Sequence, residues 1–149
     1  MKNKNGFTLV ELMVVVGIIV LLAMLAMPSF TKYSAKAKRA EAYMNLGSLY
    51  AALKGYYVEN GKYTDKLSGP DSLNWAPDGQ SIYSYGFSGT EGVNYIKGKN
   101  DSSGISGSSI GDNSFVVVAS ADIDGDGKPD VITVDDKHVF KVAQDDLAN

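Results

Sequence analysis

The chain has no cysteine, which excludes a disulfide framework and any thiolate site and leaves something else to tie its loops down. It has one histidine, His138, and no cysteine or phosphate-cradling loop to accompany it. Nucleophilic catalysis therefore has no recognisable machinery here, and His138 reads as a structural or exposed residue in a short strand. No enzyme is expected. Basic charge is also scarce, with 14 Lys and Arg against 17 Asp and Glu for a formal net charge of −3. That argues against nucleic acid as the main partner, because phosphate binding needs a basic face.

What the chain does have is a long apolar run. Its 149 residues suffice for one membrane segment and one modest domain, with too little chain for two domains that each have a core. From Phe7 to Phe30 there are 24 residues, about 36 Å as a helix and enough to cross a hydrocarbon core of about 30 Å. Leu12 to Met27 contains no polar side chain, so lipid or the inside of a helical bundle is the natural solvent of this segment. A cleaved secretory signal fits less well. The run is too long, and Ala26-Met27-Pro28 is not a small-x-small site. Counted by flanking charge, Lys32, Lys36, Lys38 and Arg39 outnumber Lys2 and Lys4, which on its own would place the C-terminal part inside the cell.

Glu11 lies four residues into this run, where a carboxylate on an isolated helix costs up to about 2.5–3.5 kcal/mol, less near the interface. One reading is that it reaches the headgroups. The other is that it waits for a cation, which a cut after Gly6 would create as a new α-amino group on Phe7. A short basic stretch, Gly6, then Phe7-Thr8-Leu9-Val10-Glu11-Leu12-Met13 and an apolar helix containing Pro28 resembles the type III signal sequence of type IV pilins and of type II secretion pseudopilins. The resemblance covers about the first sixty residues. It implies that a prepilin peptidase facing the cytoplasm cuts between Gly6 and Phe7 and methylates Phe7, and that Glu11 meets the amine of a neighbouring subunit during assembly. It further implies that the leader stays in the cytoplasm and the C-terminal domain lies outside, against the charge count. Physically, a charge in an apolar bundle is tolerated when paired and penalises misregistered packing when not.

Pro28 ends the apolar run, and a proline inside a helix predicts a kink or a locally melted turn. The resemblance points the same way. Beyond it, helical periodicity continues, with Ala40, Tyr43, Met44, Gly47, Tyr50, Ala51 and Tyr57 able to share a broad face. Asn60-Gly61 is a stop signal. The expectation is one helix from about Phe7 to Glu59, with Tyr43, Tyr50, Tyr56, Tyr57 and Tyr63 packed against a sheet. Residues 62–80 read as a loop pinned by Trp75, and 98–113 as a flexible polar loop. "YSYGFS" has a strand pattern with Val93 to Lys97 as its partner, and Ser114 to Ser120, Val131 to Val134 and His138 to Val142 complete an antiparallel sheet of four or five strands. The fold class is α+β and pilin-like, organised as a leader (1–6), a transmembrane or filament-core helix (7–30) and a globular head (31–149) that includes the amphipathic half of the helix.

"ADIDGDGKPDVITVDD" carries a second signal. Asp122, Asp124 and Asp126 alternate, Gly127 permits a sharp turn, the Lys128 carbonyl stands at the seventh position and Asp130 at the ninth. These spacings reproduce the first part of an EF-hand-type loop and point to Ca²⁺. The twelfth position is Thr133 rather than a bidentate glutamate and the flanks are strands, which leaves Asp135 or Asp136 to supply a further oxygen. The competing reading is a solvated acidic turn. Four crowded carboxylates repel one another without a cation, so calcium would cross-link the flanking strands where other pilins use a disulfide.

The expected function is a structural subunit of a type IV pilus serving adhesion, twitching motility or DNA uptake. The alternatives are a type II secretion pseudopilin and a membrane-anchored calcium-binding module that does not polymerise. The resemblance implies as partners further copies of the chain in a filament, other pilin-like subunits, prepilin peptidase, the inner membrane, and the assembly platform and secretin machinery.

Overall fold

A computed structural model describes residues 6–101 and 104–147, the side chains of residues 28 and 29 excepted. Its first element is one helix, α1, Leu9–Asn60, of 52 residues. It starts where Thr8 caps its first turn and stops where Gly61 takes a left-handed φ of 71° and donates its N–H to the Tyr57 carbonyl at 2.8 Å. That is the termination expected of Asn-Gly, since glycine enters the left-handed region without a Cβ clash. Of the kink or melted turn expected at Pro28, the melted turn is absent, because the helix runs unbroken through that position. A proline forfeits one backbone donor, and the helical bonds to either side keep the turn. The Pro28 side chain itself lies outside the described residues.

The chain divides into two compact units, 1–34 and 35–149. In the first, every large apolar side chain from Phe7 to Met27 is exposed. The helix is apolar around its whole circumference and is long and apolar enough to cross a membrane.

In the second unit, the later part of α1 packs on an antiparallel sheet: β1 (Ser84–Gly86), β2 (Tyr95–Ile96), β3 (Ser109–Ile110), β4 (Phe115–Ala121), β5 (Asp130–Asp135) and β6 (Phe140–Gln144). Its order is β2-β1-β4-β5-β6, with β3 also paired to β4. The fold is α+β and pilin-like, a long helix on a small antiparallel sheet. One correction concerns β3, which lies within the stretch expected to be a loop. Two residues among glycines and serines carry no periodicity, and only pairing with Phe115 and Val116 defines them as a strand.

A second correction concerns the helix face. The buried stripe is Ala35, Ala42, Leu46, Leu49 and Leu53, not the face through Ala40, Met44 and Ala51; Met44 is 76% exposed while Leu46 is fully buried. The leucines at i, i+3 and i+7 form a compact apolar stripe, and the tyrosines sit at its margins, where a ring can pack with its hydroxyl in water. Tyr50 and Tyr57 are half-buried against the core and Tyr43 stands on Phe140. The opposing sheet contributes Tyr83, Tyr85, Phe87, Phe115, Val117, Ala119, Ile132 and Val134. Trp75 does pin the 62–80 loop, since its indole N–H donates to Ser48 Oγ on α1 at 2.8 Å.

Candidate functional site

Two places carry chemistry, one in each unit. At the N-terminus, Gly6, Phe7 and Thr8 precede the helix as exposed, non-helical backbone. The Gly6–Phe7 peptide bond therefore lies outside the helix and is exposed. Thr8 is the N-cap of α1. Its backbone N–H and its hydroxyl donate to Glu11 Oε2 at 2.8 and 2.7 Å, and the Glu11 N–H donates back to Thr8 Oγ1 at 3.2 Å. This reciprocal arrangement is a capping box, and it satisfies donors that a helix start leaves open. Glu11 thus has a local role that the opening reading missed, although Thr8-x-x-Glu11 is the spacing that signals it. Both bonds fall on Oε2; among the described residues Oε1 receives none.

The second place is the acidic loop between β4 and β5. Asp122, Asp124, Asp126 and Asp146 each bring a carboxylate oxygen to within 4.8 Å of the others. The loop is shaped by its own backbone. Asp122 accepts from the N–H groups of Gly125 and Gly127 at 2.6 and 2.9 Å, Asp124 from that of Asp126 at 3.1 Å, and Asp126 from that of Lys128 at 2.8 Å. Gly127 has φ 87°, the sharp turn its position called for. Lys128 meets the cluster through that N–H and through an ammonium 3.5 Å from Asp126. The Lys128 amide, with the charge behind it, holds the Asp126 carboxyl below the usual range.

Asp130 is not part of this cluster. It opens β5 opposite Ala121, and the strand's alternation turns Asp130, Ile132 and Val134 toward the core. There its fully buried carboxylate accepts from the Arg39 guanidinium, from Tyr83 Oη at 2.8 Å and from the Asp146 N–H at 3.3 Å. A carboxylate so engaged is a structural counter-ion. Asp135 and Asp136 also stay away: Asp135 accepts the N–H groups of Lys137 and Val139 and so caps the β5–β6 turn, and the Asp136 N–H bonds to the Phe115 carbonyl.

Asp146, close to the C-terminus, takes the place expected for Asp130. It is 2% exposed; its Oδ2 accepts the Ile123 N–H at 3.1 Å, and its buried Oδ1 has no donor among the described residues. Burial, and after it the charges of Asp124, Asp126 and Asp122, push its carboxyl above the usual range. Beside it, Asp145 accepts from Arg39, while Lys38 donates to the Ile123 carbonyl at 2.7 Å. Arg39, Tyr83 and Asp146 gave no signal in the sequence, because their roles depend on partners tens of residues away. His138 is exposed, with its ring on Tyr50 at 4.4 Å and a φ of 64°.

Comparison with known proteins bears on the N-terminal place, and the matched family models end before the acidic loop. Residues 1–27 match the prokaryotic N-terminal methylation motif, and residues 28–97 match the family model described as type IV minor pilin ComP, DNA uptake sequence receptor. The type IV major pilin protein PilA of Myxococcus xanthus is 40% identical over 90 residues, which cover 60% of this chain and 40% of PilA. PilE1 of Neisseria gonorrhoeae is 37% identical over 62 residues, 42% of this chain and 38% of PilE1. The type II secretion system core protein G of Klebsiella pneumoniae is 35% identical over 80 residues, 54% of this chain and 57% of that protein. The alignments thus span 38 to 57% of these relatives' own lengths. A methylation motif thus runs directly into a pilin-matched segment, on a helix packed over a small antiparallel sheet: over residues 1–97 the chain carries the N-terminal methylation motif and a type IV pilin domain.

Proposed function

We propose that this protein is a structural subunit of a type IV pilus. The type IV pilin domain points to a structural, non-enzymatic role, and filament assembly with other pilin-like subunits follows from it. The observation that carries the finer reading is the helix from Phe7 to Met27, which exposes every large apolar side chain directly after the methylation motif. Such a surface needs lipid first and a helical bundle later. Prepilin peptidase cuts between Gly6 and Phe7 and methylates Phe7. The chain waits in the inner membrane, and its helix then enters the filament core with the head outside. Glu11 Oε1, left open by the capping box, is positioned to receive the amine of a neighbouring Phe7. Calcium at the acidic loop stabilises the head.

Mass spectrometry of the mature chain tests this reading. The expected N-terminus is a methylated Phe7; an intact Met1 in assembled material defeats it.

A second reading, a pseudopilin of a type II secretion system, is favoured by the alignment with the Klebsiella protein, which covers a larger share of that relative than of PilA. Deleting the gene separates the two: loss of surface fibres supports the pilus, loss of exoprotein secretion the pseudopilus. The DNA reception in the name of the matched minor pilin is not carried over, because a chain of net charge −3 that loses Lys2 and Lys4 with its leader is a poor partner for phosphates.

A further inference from the structure

We propose that Asp146 is the buried ligand of a calcium site whose other carboxylates are Asp122, Asp124 and Asp126, so that the cation clamps the C-terminal segment onto the acidic loop. This deepens the reading of a calcium-stabilised head, rests on it, and replaces Asp130 in the ligand set.

The argument starts from one atom. Among the described residues, no hydrogen-bond donor faces Asp146 Oδ1, which is buried in a side chain that is 2% exposed. Buried polar atoms are nearly always partnered, and those that are not need an explanation such as an ion. This oxygen belongs to a group held in place from two sides, by the Ile123 N–H on Oδ2 and by its own N–H on Asp130. Turning the carboxylate to water breaks the Ile123 bond, while the backbone N–H on Asp130 fixes the residue that carries it. It is kept facing three carboxylates, all four offering oxygens within 4.8 Å of one another. Like charges gathered so closely repel unless a proton or a cation sits among them. The nearby cationic side chains are committed elsewhere: Arg39 lies on Asp130 and Asp145, and Lys38 on the Ile123 carbonyl. Lys128 approaches only the exposed edge, at Asp126. Four hard oxygen donors drawn from two separate segments suit calcium's adaptable coordination better than the compact octahedron that magnesium demands.

The position gives the cation a mechanical role. Asp145 and the Asp146 N–H tie the same segment to Arg39 and Asp130, while Ile123 ties the loop to Lys38. Filling the site holds helix, loop and C-terminal segment together at one point, in a chain that has no cysteine to do so.

The test is a calcium titration of the full chain in detergent micelles, read by thermal unfolding and by amide hydrogen exchange, against Asp124→Ala, Asp146→Asn and Asp135→Asn. Asp146→Asn keeps an oxygen for the Ile123 N–H, and near-UV circular dichroism of Trp75 checks its fold. In the parent and in Asp135→Asn, calcium is expected to raise the melting temperature and to slow exchange at Ile123 and Asp146. In Asp124→Ala and Asp146→Asn, affinity is expected to fall by on the order of ten-fold or more. A parent chain indifferent to calcium overturns the calcium reading as a whole. An Asp146→Asn chain that binds calcium like the parent overturns the role of Asp146 alone and leaves a loop-only site. If that variant does not fold, the parent decides: calcium that protects the loop amides but not Asp146 overturns the clamp.

Discussion

Arg39 on α1 grips the fully buried carboxylate of Asp130 on β5 with both its Nε, at 3.1 Å, and its terminal nitrogen, and the two residues are 91 positions apart. The pair ties the helix to the strand edge beside the acidic loop. Its geometry is two-pronged and further donors from Tyr83 and Asp146 complete it, which is the condition under which a buried ion pair repays its desolvation.

Removing one partner should therefore be costly. Arg39→Met leaves Asp130 buried and uncompensated and is expected to destabilise the head by about 3–5 kcal/mol. Urea unfolding monitored by Trp75 fluorescence measures it; a loss under about 1 kcal/mol would show that the pair behaves like a surface ion pair.

Glu11 and Thr8 separate two roles that the sequence places in one motif. Glu11→Gln keeps an oxygen for the capping box and removes the charge, so the head should fold and the chain should insert while filament assembly is impaired. Glu11→Ala should impair assembly as well. Thr8→Val removes the cap at a cost of about 1 kcal/mol to the helix start, with the charge still in place. Fibre yield from cells decides between them: normal filaments from Glu11→Gln would exclude the docking charge.

Tyr85 sets an alkaline limit. Burial raises its phenol well above its ordinary range, and the Glu41 carboxylate that accepts its hydroxyl adds to this, against a bond from Asn45 that lowers it; Tyr83 and Trp75 are its ring neighbours. The unfolded phenol titrates near pH ~10. Below that value both states hold the proton and stability is indifferent to this group. Above it the unfolded chain binds fewer protons than the folded one, so stability falls with rising pH by up to about 1.4 kcal/mol per unit. Denaturation at pH 8 and 10.5 should record the loss, with a shallower slope in Tyr85→Phe; equal slopes would dismiss Tyr85 as the cause.

Two glycines should respond to alanine with opposite signs. A Cβ at Gly98 would lie 2.3 Å from the Tyr83 carbonyl group, backbone that cannot move aside cheaply. Gly98→Ala is expected to cost about 1–3 kcal/mol. Gly55 lies on exposed helix with nothing within 4 Å of an added Cβ, and Gly55→Ala should stabilise by up to about 1 kcal/mol. Thermal melts of the two variants run side by side would test both signs.

Local features were legible residue by residue. The apolar run from Phe7 depends only on composition, the stop at Asn60-Gly61 on one glycine's freedom, and the strands β4 to β6 on β-branched runs between turn residues. The helix face was misjudged because Tyr43 and Met44 are as apolar on paper as Leu46, and only the sheet opposite decides which side is covered. β3 escaped because a two-residue strand has no period of its own.

By itself, then, the amino-acid order determined that a greasy helix follows a methylation motif, that the head is α+β, and that Asp122, Asp124 and Asp126 share one turn. Tertiary structure alone decided that Asp130 belongs to Arg39 and that Asp146 faces the acidic loop. The physical reason is range. A turn or a helix end is set by the few residues that form it, whereas a carboxylate's partner is set by strand register, which turned Asp130 inward, and by chain that folds back from twenty residues further on.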